Sequence, residues 1–310
     1  MVDGVLHGGI MNAKKGRLLS IITPTYNRGH LLKRCFESLV SQTSKKFEWI
    51  IVDDGSEDAT TEIVKKFKKE MVDFSIQYIK KENGGKHTAL NESHKYIHGD
   101  YVLILDSDDY LTDNAVETVL EGWKKYENDN RIGMVVYLKG ITENDPVAYA
   151  KDEDTPVDVL RYKRVCVSGS DCCEVIRSQT FLKFPFPIFS GERFMAETVL
   201  WYRVGLEQKC IYVNRVIYIC EYLEDGLTRT GREMRIKNPY GGMMNSELAM
   251  DKRNFLKQRV KNGLLFVCYG FFANLSVNKI IKYTENYRGL KLVCILPGYL
   301  MYRLWKSKYM

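Results

Sequence analysis

Between residues 17 and 138 the chain repeats one pattern, and that repetition limits what it can fold into. A short apolar run ends in a polar cluster, and apolar residues at helical spacing follow. Leu18 to Thr23 (LLSIIT), Phe47 to Val52 (FEWIIV) and Tyr101 to Leu105 (YVLIL) are too short and too uniformly apolar for surface helices. They read as strands buried on both faces. Between them, Leu31, Leu32, Cys35, Phe36, Leu39 and Val40 recur at the three-to-four-residue spacing of a helix, as do Ile63, Val64 and Phe67 after a capping Asp58. Ser75 to Ile79 supplies a further strand, Lys86 to Ile97 and Val116 to Trp123 further helices, and Ile132 to Tyr137 another strand. Strand and helix alternating at this interval predict a Rossmann-like α/β fold, with a mostly parallel sheet flanked by helices and right-handed crossovers.

Such sheets bind ligands beyond the carboxyl ends of their strands. The polar clusters Thr23 to Asn27, Asp53 to Ser56 and Asp106 to Asp109 all fall there. In LILDSDD, Asp106, Asp108 and Asp109 crowd the end of an apolar run. Hard carboxylate oxygens at a strand mouth suit Mg²⁺ or Mn²⁺, ions held by one or two carboxylates and the phosphates of a substrate. Taken alone, the same four residues also make an ordinary solvated turn.

The order of the clusters decides between these readings. SIITPTYNRGHLLKRCFESLVSQT, FEWIIVDDGSEDAT, NGGKHTALN and GDYVLILDSDD together resemble family 2 glycosyltransferases of the A-type fold, over about a hundred residues from Leu18 to Asp113. The resemblance implies that Thr23, Pro24 and Tyr26 line a nucleotide pocket. It implies that Asp54 meets the base while Asp53 supports its turn, and that Gly84, Gly85 and Lys86 pass beneath base and ribose. Asp106 would contact the ribose, and Asp108, with Asp106, would hold Mn²⁺ or Mg²⁺ against the diphosphate; Asp109 would be an occasional ligand.

Transfer needs a base for the acceptor hydroxyl. PFPIFSGERFMAETVLWYRVG resembles the family's acceptor-side segment, although Ala196-Glu197 stands where an acidic pair is usual. Glu197 matches the base and Glu192 is the alternative; Glu197 would otherwise cap a helix. YICEYLEDGLTRTG resembles a segment that closes over donor phosphates; the chain has no His after His98, so Glu221, Asp225 or water would take the place of a metal-binding His or the position is empty, and Arg229 and Arg232 could meet the diphosphate or be exposed surface charge. The implied activity is an inverting, non-processive hexosyl transfer, with a UDP-sugar as donor and a saccharide or lipid-linked saccharide as acceptor, in surface polysaccharide synthesis. A sugar-phosphate nucleotidyltransferase would open on a Gly-rich basic loop where this chain has TPTYNRG; a catalytically dead sugar-binding relative is the non-enzymatic alternative.

Charge sets the rest apart. The net +7 arises entirely after residue 251: Lys252 to Met310 hold 12 Lys or Arg and one acid, Glu285. Gly263 to Val277 and Leu292 to Trp305 are apolar but shorter than the ~20 residues a spanning helix needs. We therefore expect residues 17–250 to form the catalytic domain, with a nucleotide-sugar half at 17–138 and an acceptor half at 139–250. Residues 251–310 form a basic amphipathic helical region. It either lies on an anionic membrane surface, at the cytoplasmic face, or folds back as a cap. No nucleic-acid module accompanies the charge. The eight scattered cysteines show no metal-ligand spacing and read as buried thiols of a reducing compartment, and Met1 to Arg17 lacks a signal-peptide core.

Overall fold

The structure is a computed structural model that describes residues 18–70, 72–162, 165, 166, 168, 171–220 and 227–310, with backbone alone at 165, 166 and 227–230. In chain order the elements are β1 (Leu19–Thr25), α1 (Leu32–Val40), β2 (Phe47–Asp53), α2 (Thr60–Phe67), β3 (Ser75–Lys80), α3 (Lys86–Ser93), β4 (Tyr101–Ile104), β5 (Tyr110–Leu111), α4 (Ala115–Lys124) and β6 (Ile132–Thr142). There follow the short β7 (Asp145–Pro146), β8 (Ala148–Tyr149) and β9 (Val165–Cys166), then β10 (Cys172–Arg177), α5 (Ser178–Lys183), α6 (Thr198–Glu207) and β11 (Lys209–Ile219). Six helices finish the chain: α7 (Leu227–Lys237), α8 (Pro239–Ala249), α9 (Leu256–Phe272), α10 (Val277–Lys282), α11 (Arg288–Val293) and α12 (Ile295–Tyr309).

The main sheet runs β3-β2-β1-β4-β10-β6-β11-β5. Its first four strands are parallel, as the repeated crossovers require. The strands are apolar throughout because both faces are covered. Leu19, Ile21, Phe47, Trp49, Tyr101 and Leu103 point into a core beneath α1, α2 and α4. Their neighbours Ile22, Ile50, Val52 and Val102 point into another beneath α3, α5 and α6.

One feature departs from a simple parallel continuation. β10 inserts between β4 and β6, antiparallel to both. β6 consequently runs parallel to β4 without touching it. β6 and β11 pair in parallel, and Lys139 faces Tyr218 across them, at the same sheet edge where β1, β2 and β4 end.

The C-terminal helices share a separate core that begins at Ile236, upstream of residue 251, and includes Met243, Met250, Phe266, Val267, Tyr269 and Cys294. Arg253 ties this layer to the sheet domain through the carbonyls of Gly205 and Leu206 at 3.0 and 3.1 Å. On its inner side the basic region is thus a folded cap. Among the described residues no helix is long and apolar enough to cross a membrane.

Candidate functional site

The loops that leave β1, β2, β3 and β4 meet at the carboxyl edge of the sheet. Near the end of β1, Thr23 is fully buried and its Oγ1 accepts the Trp49 indole N–H at 2.9 Å. Its side chain therefore belongs to the core, and only backbone is left for a pocket. Pro24 is buried within the strand, whereas Tyr26 is 47% exposed at the edge. Asn27 turns the chain at φ 51°, which sends Arg28 across to Asp108 (Nη1 to Oδ2, 2.5 Å). Arg34, from α1, donates to the Asp108 carbonyl at 2.7 Å.

After β2, Asp53 and Asp54 divide their work. Asp53 accepts the Ser56 N–H at 2.7 Å and the Tyr78 hydroxyl at 2.5 Å, fixing the turn. Asp54 organises the glycine loop: it accepts Lys81 Nζ at 2.7 Å, Gly84 N–H at 3.0 Å and Gly85 N–H at 2.7 Å. Gly85 lies at φ 93°, ψ 157°, a region essentially restricted to glycine. A Cβ there would sit 1.8 Å from the Arg193 carbonyl oxygen. The segment that carries Glu192 and Glu197 is therefore pressed directly onto the glycine loop.

Lys86 follows and links the two halves of the site. Its ammonium pairs with Asp106 at the end of β4 and with Glu197 at the start of α6. Burial alone would lower the Lys86 pKa, but the two carboxylates outweigh it and hold the ammonium above its ordinary value. Glu197 makes no side-chain capping bond to its helix, so its carboxylate is turned to Lys86 instead. Glu192 has another task. Buried, it accepts the Tyr240 and Gly241 N–H groups at 2.6 and 2.8 Å, the free donors at the start of α8. Burial raises its carboxyl, against those two bonds.

Three acids within four residues create an electrostatic conflict. Burial, and then the neighbouring Asp106, push Asp109 up to about 7. For Asp106 burial acts in the same direction, but Lys86 and Lys139 overcome it and keep the carboxyl below the usual range. Tyr218 donates to Asp109 at 2.7 Å and accepts the Asp106 N–H at 3.0 Å. Lys139 lies over the Tyr218 ring at 4.2 Å. No three His, Cys, Asp or Glu side chains converge as a ready-made metal cage among the described residues. The donor set nonetheless fits a hard divalent ion. Asp106 and Asp108 would supply oxygens, and the remaining ligands would come from substrate phosphates.

Of the residues singled out in the sequence, the structure brings Asp54 to Gly84 and Gly85, and Lys86 to Asp106 and Glu197; Arg28, Lys139 and Tyr218, which join the acid cluster, were not singled out. Lys139 carried a signal, a single cation in the apolar strand MVVYLKG. His87 is buried with no partner for Nδ1 among the described residues. Arg232 lies over the Trp305 ring at 5.0 Å, on the C-terminal cap. Glu221, Asp225 and the Arg229 side chain lie outside the described residues.

Residues 20–177 match the family Glycosyl transferase family 2. Glycosyltransferase GlyG of Streptococcus pneumoniae is 27% identical over 69% of this chain and 73% of its own length. The poly(ribitol-phosphate) beta-glucosyltransferase of Bacillus spizizenii is 32% identical over 49% of this chain and 24% of its own. The chain spans only part of most of these relatives' own length, 16% of glycosyltransferase GlyA of Streptococcus pneumoniae and as little as 11% of the chondroitin synthase of Pasteurella multocida. In fold, the chain is similar to S. aureus TarS 1–349 in complex with UDP (TM-score 0.58, 17% identity, 86% of this chain and 78% of that one). It is likewise similar to the mannosyltransferase PcManGT of Pyrobaculum calidifontis in complex with GDP-Man and Mn²⁺ (TM-score 0.56, 17% identity, 95% and 84%). The expected A-type fold is the one these structures share.

Proposed function

The chain belongs to glycosyl transferase family 2, and on that premise we propose that it transfers a hexose from a UDP-sugar to a saccharide or lipid-linked saccharide acceptor, with inversion, in surface polysaccharide synthesis. One observation carries the reading. The Lys86 ammonium touches both Asp106, at the donor edge of the sheet, and Glu197, on the acceptor segment. Donor and acceptor chemistry are thereby brought within one side chain of each other.

In this reading Tyr26, the backbone at Thr23 and Pro24, and the loop that Asp54 organises receive the nucleotide, with Asp106 against the ribose. Asp108 and Asp106 would hold Mn²⁺ or Mg²⁺, which when bound supplies positive charge to the diphosphate. PcManGT, described with Mn²⁺, and TarS, described with UDP, support the metal and the nucleotide respectively. Glu197 accepts the proton of the attacking hydroxyl. Lys86 orients that carboxylate, and the cations Arg28 and Lys139 lower the cost of bringing a diphosphate beside three acids. Glu192 is a positioning residue, because its two bonds to α8 fix the segment that leads to Glu197.

We assign residues 17–138 to donor binding, 139–250 to the acceptor side and 251–310 to contact with an anionic membrane surface, at its cytoplasmic face. The deciding experiment presents a panel of nucleotide-sugars with Mn²⁺ or Mg²⁺ and follows release of the nucleoside diphosphate, a slow hydrolysis that needs no acceptor. Metal-dependent release from one UDP-sugar is the expected result. No release from any member of the panel would sink the reading.

A further inference from the structure

The two C-terminal helices leave uncovered an apolar ridge that their own packing does not explain. α12 faces inward through Cys294, Gly298, Tyr302, Trp305 and Tyr309, which join the helical core. Its outward side carries Leu296, Leu300 and Leu304, and α11 continues it with Leu292 and Val293. These five side chains are between 55% and 77% exposed. Within α12, Leu296, Leu300 and Leu304 recur every four residues and so share one face, an arc of about 80° at 100° per residue, and the exposed Leu292 and Val293 end α11 immediately before it. A soluble surface tolerates scattered aliphatics, but a contiguous row of five marks a covered surface.

Charge identifies what covers it. No acid occurs between Arg288 and Met310, while Arg303, Lys306 and Lys308 are exposed along the ridge and at its margins. Tyr299 and Tyr302 lie beside them, within 3.3 Å of Arg303 and 3.2 Å of Lys306. A second copy packed on this ridge through a two-fold contact would bring these cations together with no acid to offset them. An anionic bilayer meets both demands. Its acyl boundary accepts the aliphatic row and its headgroups accept the flanking cations, with Tyr299 at the level between.

We infer that the α11–α12 ridge is the surface by which this protein lies on an anionic membrane, with Leu292, Val293, Leu296, Leu300 and Leu304 inserted and Arg303, Lys306 and Lys308 against lipid headgroups. This rests on the membrane partner proposed above and names the atoms that meet it. The docking reaches the reaction through packing. α12 rests on α9, α9 on α8, and the start of α8 holds Glu192 and, through Asn238, the N–H groups of Arg193 and Phe194 at 2.7 and 3.1 Å. A bilayer-bound cap therefore sets the height of the acceptor segment above the lipid plane.

The test sediments the full-length chain with vesicles of phosphatidylglycerol and phosphatidylcholine, and with phosphatidylcholine alone. A parallel sample carries Leu296→Asp, Leu300→Asp and Leu304→Asp together. The substitutions lie on exposed positions, and an unchanged melting temperature verifies the fold. The full chain should pellet with anionic vesicles only, less so as salt rises, and the triple variant should lose at least tenfold of that partitioning. Failure of the full chain to bind anionic vesicles overturns the membrane reading as a whole. Equal binding by the variant overturns the ridge. A lipid-free dimer that the variant dissociates shows the ridge to be a contact between copies. Sedimentation needs neither donor nor acceptor, so each of these results is independent of the nucleotide-sugar screen.

Discussion

At the residue scale, two acids in one site have separable jobs. Asp108 is half-buried at the sheet edge with Arg28 on one carboxylate oxygen, and in the proposed reading its removal deletes an ion-binding oxygen without opening the core. Asp108→Ala is expected to abolish Mn²⁺-dependent UDP binding in calorimetry while leaving the melting temperature within a few degrees. Affinity equal to wild type with metal present would falsify the ligand assignment. Glu197→Gln keeps its shape but cannot take a proton, so UDP should bind normally and transfer should fall by about 10²-fold or more. Lys86→Met frees Glu197 from its partner, and kcat should drop further than the donor KM rises, with Lys86→Arg restoring part of the loss. If Lys86→Met moves KM alone, the lysine serves only the nucleotide.

At the element scale, the sheet has a working edge and a structural edge. Gly85 belongs to the working edge, where the glycine loop and the acceptor segment touch. Gly85→Ala forces a glycine-only conformation and a clash with the Arg193 carbonyl, at a cost of about 2 kcal/mol or more in urea unfolding; a loss under about 0.5 kcal/mol would show that the loop relaxes. Glu48 marks the other edge. Buried on β2, it accepts Ser20 Oγ at 2.6 Å, His98 N–H at 2.7 Å and His98 Nδ1 at 2.9 Å. Burial acts to raise its carboxyl, but these bonds prevail and its pKa falls below the ordinary 4.5. A depressed acid stabilises the fold above its unfolded pKa, and that contribution disappears as pH falls through the folded value. Glu48→Gln should therefore lose about 1–3 kcal/mol at pH 7 and show a shallower loss of stability between about pH 5 and 3. Superimposable acid limbs would exclude this role.

At the scale of the whole molecule, the basic C-terminal region is both cap and surface. Its inner side completes the core around Met243 and Met250, which are fully buried, while its outer side carries the ridge. Deleting residues 254–310 removes α9 from α8 and bares those methionines. The truncated chain should aggregate or melt well below the full chain, despite retaining every donor-side residue. A soluble truncation with wild-type UDP affinity would show that the helical core is dispensable to the sheet domain. Membrane binding is therefore properly probed by surface substitution on the intact chain.

The strands and helices through β6, apart from the two-residue β5, were legible because their signals are local. Apolar periodicity, turn residues and the motif clusters at strand ends are written within a few residues of where they act, and parallel topology puts strand ends on one edge. The glycine loop and the acid cluster accordingly lie at one edge of the sheet, with Glu197 reached through Lys86. Tertiary structure alone decided what those residues do to one another. β10 joins the sheet between β4 and β6 through pairings with strands distant in sequence, and nothing local marks that choice. Glu192, the alternative to Glu197 in the sequence, accepts two N–H groups at the start of α8, a contact between segments that no local pattern announces. Lys86 belongs to the donor loop by motif and to the acceptor side by contact, since a long side chain on a fixed turn reaches whatever the fold brings within range.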